Sequence, residues 1–152
     1  MDGKESGMDM LYDVVDRPRS PYNLLQEQAN QGQDSEWRVC VACALLNRTN
    51  GDQVRPVFDE LMRTWHSPQA LLDTVESPWV QSLLRPLGFV NQRTRRLVNM
   101  TRDYLEGRPI EYCSGNGPYA WASVRIVCHG DLDAPTDDPW LKKYVEWRRS
   151  QA

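Results

Sequence analysis

The stretch C-S-G-N-G-P-Y-A-W-A-S-V-R-I-V-C over residues 113–128, followed by D-L-D-A-P-T-D-D over residues 131–138, decides how this chain is read. Gly115-Asn116-Gly117 is a turn whose glycines leave backbone N–H groups uncovered, and it leads into apolar spacing that fits a helix. Such a turn, together with a helix N-terminus, favours an anion, so Gly115 and Gly117 are candidates for gripping a phosphate. A carboxylate, Asp138, stands 21 residues after Gly117 and is followed by Pro139, an N-cap with proline at the first helical position.

Outward from this stretch the chain reads as a series of short helices. Ser-Pro pairs at Ser20-Pro21, Ser67-Pro68 and Ser77-Pro78 each predict a capped start. The first is expected to open a helix over residues 22–27. Residues 37–46 are apolar apart from Arg38 and predict a helix buried on most sides. Val54, Val57, Phe58, Leu61, Met62 and Trp65 share one helical face, which requires Pro56 to lie in the first turn. Asn91 is expected to cap a further helix with Leu97, Val98, Thr101, Tyr104 and Leu105 inward, stopped by Gly107 and Pro109. Sustained period-two alternation is absent. The expectation is an all-α domain of about eight to ten short helices over residues 20–152, preceded by an acidic tail over residues 1–19 that is disordered or loosely docked.

The net charge of −3 argues against a nucleic-acid partner until it is divided. Residues 1–36 carry eight acids and three bases, whereas residues 37–152 carry fifteen bases and thirteen acids. Five arginines and no acid occur between Arg85 and Arg102, a patch suited to phosphates. No run approaches the ~18 apolar residues of a membrane span, and the start lacks a signal-peptide pattern, so an intracellular protein without a membrane partner is expected. Cys40-x-x-Cys43 lies within the buried run and has no second pair at zinc spacing, which makes core thiols the expectation. His66 and His129 are far apart and receive no role.

The helix, Gly-x-Gly hairpin, second helix and later aspartate resemble the helix-hairpin-helix DNA glycosylase superfamily. The segments R-S-P-Y-N-L-L-Q-E (19–27), W-R-V-C-V-A-C-A-L-L-N-R-T-N-G (37–51), L-L-R-P-L-G-F (83–89) and L-K-K-Y-V-E-W (141–147) extend the resemblance to about residues 17–149. Within the superfamily they are similar to the branch of thymine glycosylases joined to a methyl-CpG-binding domain. The resemblance implies a cleft between two helical lobes, no organic cofactor and a monomer acting on double-stranded DNA with a mispaired or damaged pyrimidine. No cysteine follows Cys128, so no iron–sulfur cluster is expected, and an alkali ion at the Gly115–Gly117 hairpin is the one metal it suggests.

The same resemblance gives residues their roles. Asp-x-x-Leu-x-Lys-Tyr puts the catalytic carboxylate at Asp138 rather than Asp137, beside a sugar that gains oxocarbenium character as the base leaves. Tyr119 stands where bifunctional members carry a Schiff-base lysine; a phenol forms no imine, so β-lyase action is not expected. Gln26 and Tyr119 would line the base pocket. Asn47 and Arg48 of the L-N-R-T loop and Phe89 of the L-G-F loop would fill the hole left by the flipped base and hold its partner. Asn116, Phe89 and Trp140 depart from the family pattern. They leave open an enzyme for modified thymines, and a non-catalytic helix-hairpin-helix DNA-binding module is the reading from another functional class.

Overall fold

Core burial fixes where each helix sits. The structure, a computed structural model, describes residues 22 and 24–151. The expected tail over residues 1–19 and the Ser20-Pro21 helix start lie outside the described residues. Within them the secondary structure is helical without a strand. It comprises α1 (Leu25–Ala29), α2 (Ser35–Leu46), α3 (Gly51–Thr64), α4 (Pro68–Thr74), α5 (Pro78–Leu84), α6 (Val90–Leu105), α7 (Pro118–Ser123) and α8 (Pro139–Ser150). No described helix is long and apolar enough to cross a membrane.

The central element is α2, whose Trp37, Val39, Val41, Ala42 and Leu45 are fully enclosed. Its Trp37 indole N–H would be costly to bury alone, and it donates to Thr101 Oγ1 at 3.0 Å. Around α2 one apolar cluster gathers Leu25, Phe58, Leu61, Trp65, Leu71, Leu84 and Leu97. A smaller cluster joins Leu24, Ala122, Ile126, Val127, Leu141 and Tyr144. Tyr119 packs against both, at the seam between them.

The Ser-Pro starts at residues 67 and 77 are present: Ser67 Oγ accepts from Ala70 N at 3.1 Å and Ser77 Oγ from Val80 N at 3.3 Å. Three boundaries differ from expectation. The first helix among the described residues begins at Leu25 without a side-chain cap, and Leu24 and Leu25 pack into different apolar clusters. Pro56 lies in the second turn of α3. A reciprocal capping box between Asn50 and Gln53 starts that helix early, and the carbonyl Pro56 leaves without its N–H partner belongs to exposed Asp52. Asn91 does not cap α6, which is preceded by Phe89 in the left-handed region at φ 52°.

Candidate active site

Gln26 on α1 and Tyr119 on α7 are 93 residues apart and meet at the seam. Gln26 Nε2 donates to Tyr119 Oη at 2.6 Å and to Ser123 Oγ at 3.2 Å. These bonds occupy both amide hydrogens of a side chain that is only 1% exposed. The Tyr119 oxygen is therefore an acceptor toward Gln26 and retains its own proton for a different partner. Burial first, then the neighbouring Cys43 and Asp138, push the phenol above its ordinary value, so it remains protonated.

Both residues border a cleft of about 330 Å3 that is also lined by Tyr22, Leu46, Asn50, Asp52, Arg55 and Trp140. Tyr22 and Trp140 form an aromatic lip with ring centroids 6.4 Å apart, and the Lys143 ammonium lies 4.9 Å from the centre of the Trp140 ring. A larger concavity of about 540 Å3 lies against α3 and the loop before α2, and none of the expected site residues borders it.

Asp138 caps α8. Its Oδ2 accepts from Leu141 N at 2.9 Å and leaves Oδ1 without a hydrogen bond among the described residues. Its backbone N–H donates to Thr136 Oγ1 at 3.1 Å, which fixes the loop before the helix. Asp137 is exposed and makes no hydrogen bond among the described residues. One aspartate is thus held with an oxygen to spare, and its neighbour faces solvent.

The two loops expected to face DNA come together. The Arg48 guanidinium lies 5.1 Å from the centre of the Phe89 ring, and both residues have positive φ, 63° and 52°. Left-handed backbone at a bulky residue is strained and persists only where its surroundings impose it. Phe89 is 51% exposed, an aromatic ring held out into solvent. Asn47 is also exposed, and its carbonyl accepts from Arg93 Nη2.

At the hairpin, Gly115 has φ 84°, and a Cβ there would come 2.7 Å from Arg96 Cγ. Glycine is therefore required by backbone and by space. Gly117 differs: at φ −107° any residue fits the backbone, and an added Cβ would meet nothing within 4 Å, so the open approach to α7 is what its lack of a side chain preserves. Asn116 turns inward and donates to Ile110 O at 2.9 Å, which closes the hairpin from within. Asp103 accepts from the Ser114 backbone at 2.8 Å and from its hydroxyl, and these bonds hold its carboxyl below the usual range.

The five-arginine patch needs correction. Arg85, Arg95, Arg96 and Arg102 have no carboxylate partner among the described residues. Arg93 belongs to the interior, 6% exposed and bonded to backbone carbonyls, and is not available to a phosphate. Its charge is one of the five between Arg85 and Arg102. Its spacing from Leu97 and Met100 on the inner face of α6 was the available signal. The cysteine expectation holds for Cys40 and Cys43, both buried and free. Burial pushes the Cys43 thiol up to about 12, which keeps it from acting as a thiolate ligand or nucleophile near neutral pH.

No family model matches the chain. Among the curated proteins to which the chain is similar, two are named DNA glycosylases and one is named after a methyl-CpG-binding domain protein. In particular, the chain is 33% identical over 135 residues to the methyl-CpG-binding domain protein 4-like protein of Arabidopsis thaliana, covering 87% of this chain and 29% of that protein. It is 36% identical over 72 residues to a thymine-DNA glycosylase of Aeropyrum pernix, covering 47% of this chain and 31% of the relative. A thymine/uracil-DNA glycosylase of Pyrobaculum aerophilum is 29% identical over 109 residues, covering 62% of this chain and 44% of the relative. The chain thus spans less than half the length of each of these relatives.

Proposed function

We propose that the chain is a monofunctional DNA glycosylase of the helix-hairpin-helix type, which flips uracil or thymine out of a duplex, most readily opposite guanine, and leaves an abasic site. The observation that carries this reading is the seam itself. There a half-buried phenol, backed by the buried amide of Gln26, is kept protonated by its partial burial first and then by the neighbouring Cys43 and Asp138. In the proposed complex the pyrimidine enters the cleft and the Tyr119 hydroxyl donates a hydrogen bond to a base carbonyl. As the glycosidic bond breaks, its electron pair leaves with the base and the sugar becomes electron-poor at C1′. Asp138 Oδ1 stabilises that centre and orients water, whose oxygen forms the new bond to C1′ as its proton passes to the Asp138 carboxylate, while the departing pyrimidine anion takes a proton from solvent. Tyr119 in place of an amine removes the covalent imine route, so strand cleavage does not follow.

Arg48 and Phe89 fit the duplex side of the same event: an arginine offers donors to guanine acceptors and an exposed ring fills a vacated stack. The unpaired arginines of α6 and the Gly115–Gly117 hairpin supply phosphate contacts.

The test is a panel of labelled duplexes carrying uracil, thymine, 5-hydroxymethyluracil or 8-oxoguanine in mispairs, each analysed before and after alkali. Breaks at the pyrimidine mispairs only after alkali are expected. Breaks before alkali, or trapping of the protein on DNA by borohydride, would contradict monofunctional action; no release of any pyrimidine would remove the reading altogether.

A further inference from the structure

Arg93 is a buried cation with no carboxylate partner among the described residues. All of its hydrogen bonds go to carbonyls at the ends of two separate loops. On one side, Nη1 donates to Ala44 O at 3.1 Å and Leu45 O at 3.3 Å, and Nη2 to Asn47 O at 2.8 Å. On the other, Nη2 donates to Leu87 O at 3.0 Å and Nε to Gly88 O at 2.7 Å. The first set ends one residue before Arg48 and the second one residue before Phe89. These two are the positive-φ residues whose side chains stack at 5.1 Å.

A guanidinium has a rigid planar fork of five N–H donors, and here the fork spans the gap between α2 and the turn before α6. The carbonyls it holds belong to the C-terminal end of α2, where Leu45 O also accepts from Thr49 Oγ1, and to the 3₁₀ turn over Arg85–Leu87 with its Gly88 cap. Without a shared donor, each loop would settle its own backbone independently, and the strained conformations of Arg48 and Phe89 would lose a common support.

Resting on the reading of Arg48 and Phe89 as the duplex-facing pair, we propose that Arg93 is a positioning residue that locks the two loops into one unit, so that arginine and wedge engage a vacated base site together. Lysine keeps the buried stem and the charge but concentrates three donors at one point, and so cannot reach both loops.

The test compares the affinity of the full chain for a duplex holding a tetrahydrofuran abasic analogue opposite guanine with its affinity for the matched undamaged duplex. The ratio is insensitive to the fraction of protein that is folded. Arg93→Lys is expected to lower the ratio at least about five-fold, Phe89→Ala to lower it similarly, and the double variant to lower it no further, because both act through one element. Arg93→Met should behave as Arg93→Lys does. A Phe89→Ala loss with no Arg93→Lys loss, or losses that multiply in the double variant, would overturn the clasp. A ratio near one in the unsubstituted protein would overturn the duplex-facing pair and the clasp with it. Base release from the uracil duplex is scored separately, so failure of the glycosylase reading remains distinguishable from failure of the clasp.

Discussion

Arginines on α3, on α8 and just after α7 lie beside carboxylates, whereas those on the outer faces of α6 and in the turn before it do not. Arg55 pairs with Asp52, Arg63 with Glu60, Arg125 with Asp131, Arg148 with Glu27 and Arg149 with Asp133. Arg85, Arg95, Arg96 and Arg102 have no such partner among the described residues, and Arg48 stacks on an aromatic ring. The contrast explains how a chain of net charge −3 can present a cationic surface. Charge counted over the sequence includes pairs that cancel locally, and only the unpaired remainder acts on a polyanion.

The largest expected effect on duplex binding follows from deleting that remainder. Replacing Arg95, Arg96 and Arg102 together by glutamine should weaken duplex binding by about ten-fold or more at physiological salt. The salt dependence should flatten by about 0.9 in log–log slope for each phosphate that is no longer neutralised. The same triple exchange at Arg63, Arg125 and Arg149 should leave affinity and slope unchanged; equal reductions from both triples would erase the distinction between the regions. A smaller effect is expected for Gly115→Ala, which forces a methyl group against Arg96 at a backbone angle of φ 84°. Melting should show roughly 1 to 3 kcal/mol of destabilisation, and duplex binding should fall while Gly117→Ala leaves stability nearly intact. The smallest is Asn116→Leu. It removes the donor to Ile110 O and should cost about 1 kcal/mol; a gain in melting temperature would mean that the inward amide is not what closes the hairpin.

Much of the helical order was legible because it rests on local rules. Ser67-Pro68 and Ser77-Pro78 cap helices through their own hydroxyls, and the run of residues 37–46 is buried because it has almost no polar face. What escaped depends on distant partners. Arg93 reads as a surface charge until two loops supply it with carbonyls. Phe89 is named from the resemblance as the wedge, but nothing in its sequence context shows that its left-handed backbone starts α6 in place of a side-chain cap. For the candidate site, Gln26, Tyr119 and Asp138 were named from the resemblance, but not the engagement of both Gln26 hydrogens by Tyr119 and Ser123. The aromatic lip was also hidden, since Tyr22 and Trp140 are separated by most of the chain.

Asp138 is the pivot of the proposed chemistry, and its capping role makes the decisive variant clean. Asparagine caps a helix about as well as aspartate, so Asp138→Asn should preserve α8 while removing the negative charge. The direct measurement is single-turnover release of free uracil from a uracil–guanine duplex by the unsubstituted protein and by Asp138→Asn, with duplex affinity measured in parallel. The prediction is release by the former, a reduction by a factor on the order of 10² to 10³ in the latter, and affinity retained in both. Undiminished release by Asp138→Asn would contradict it.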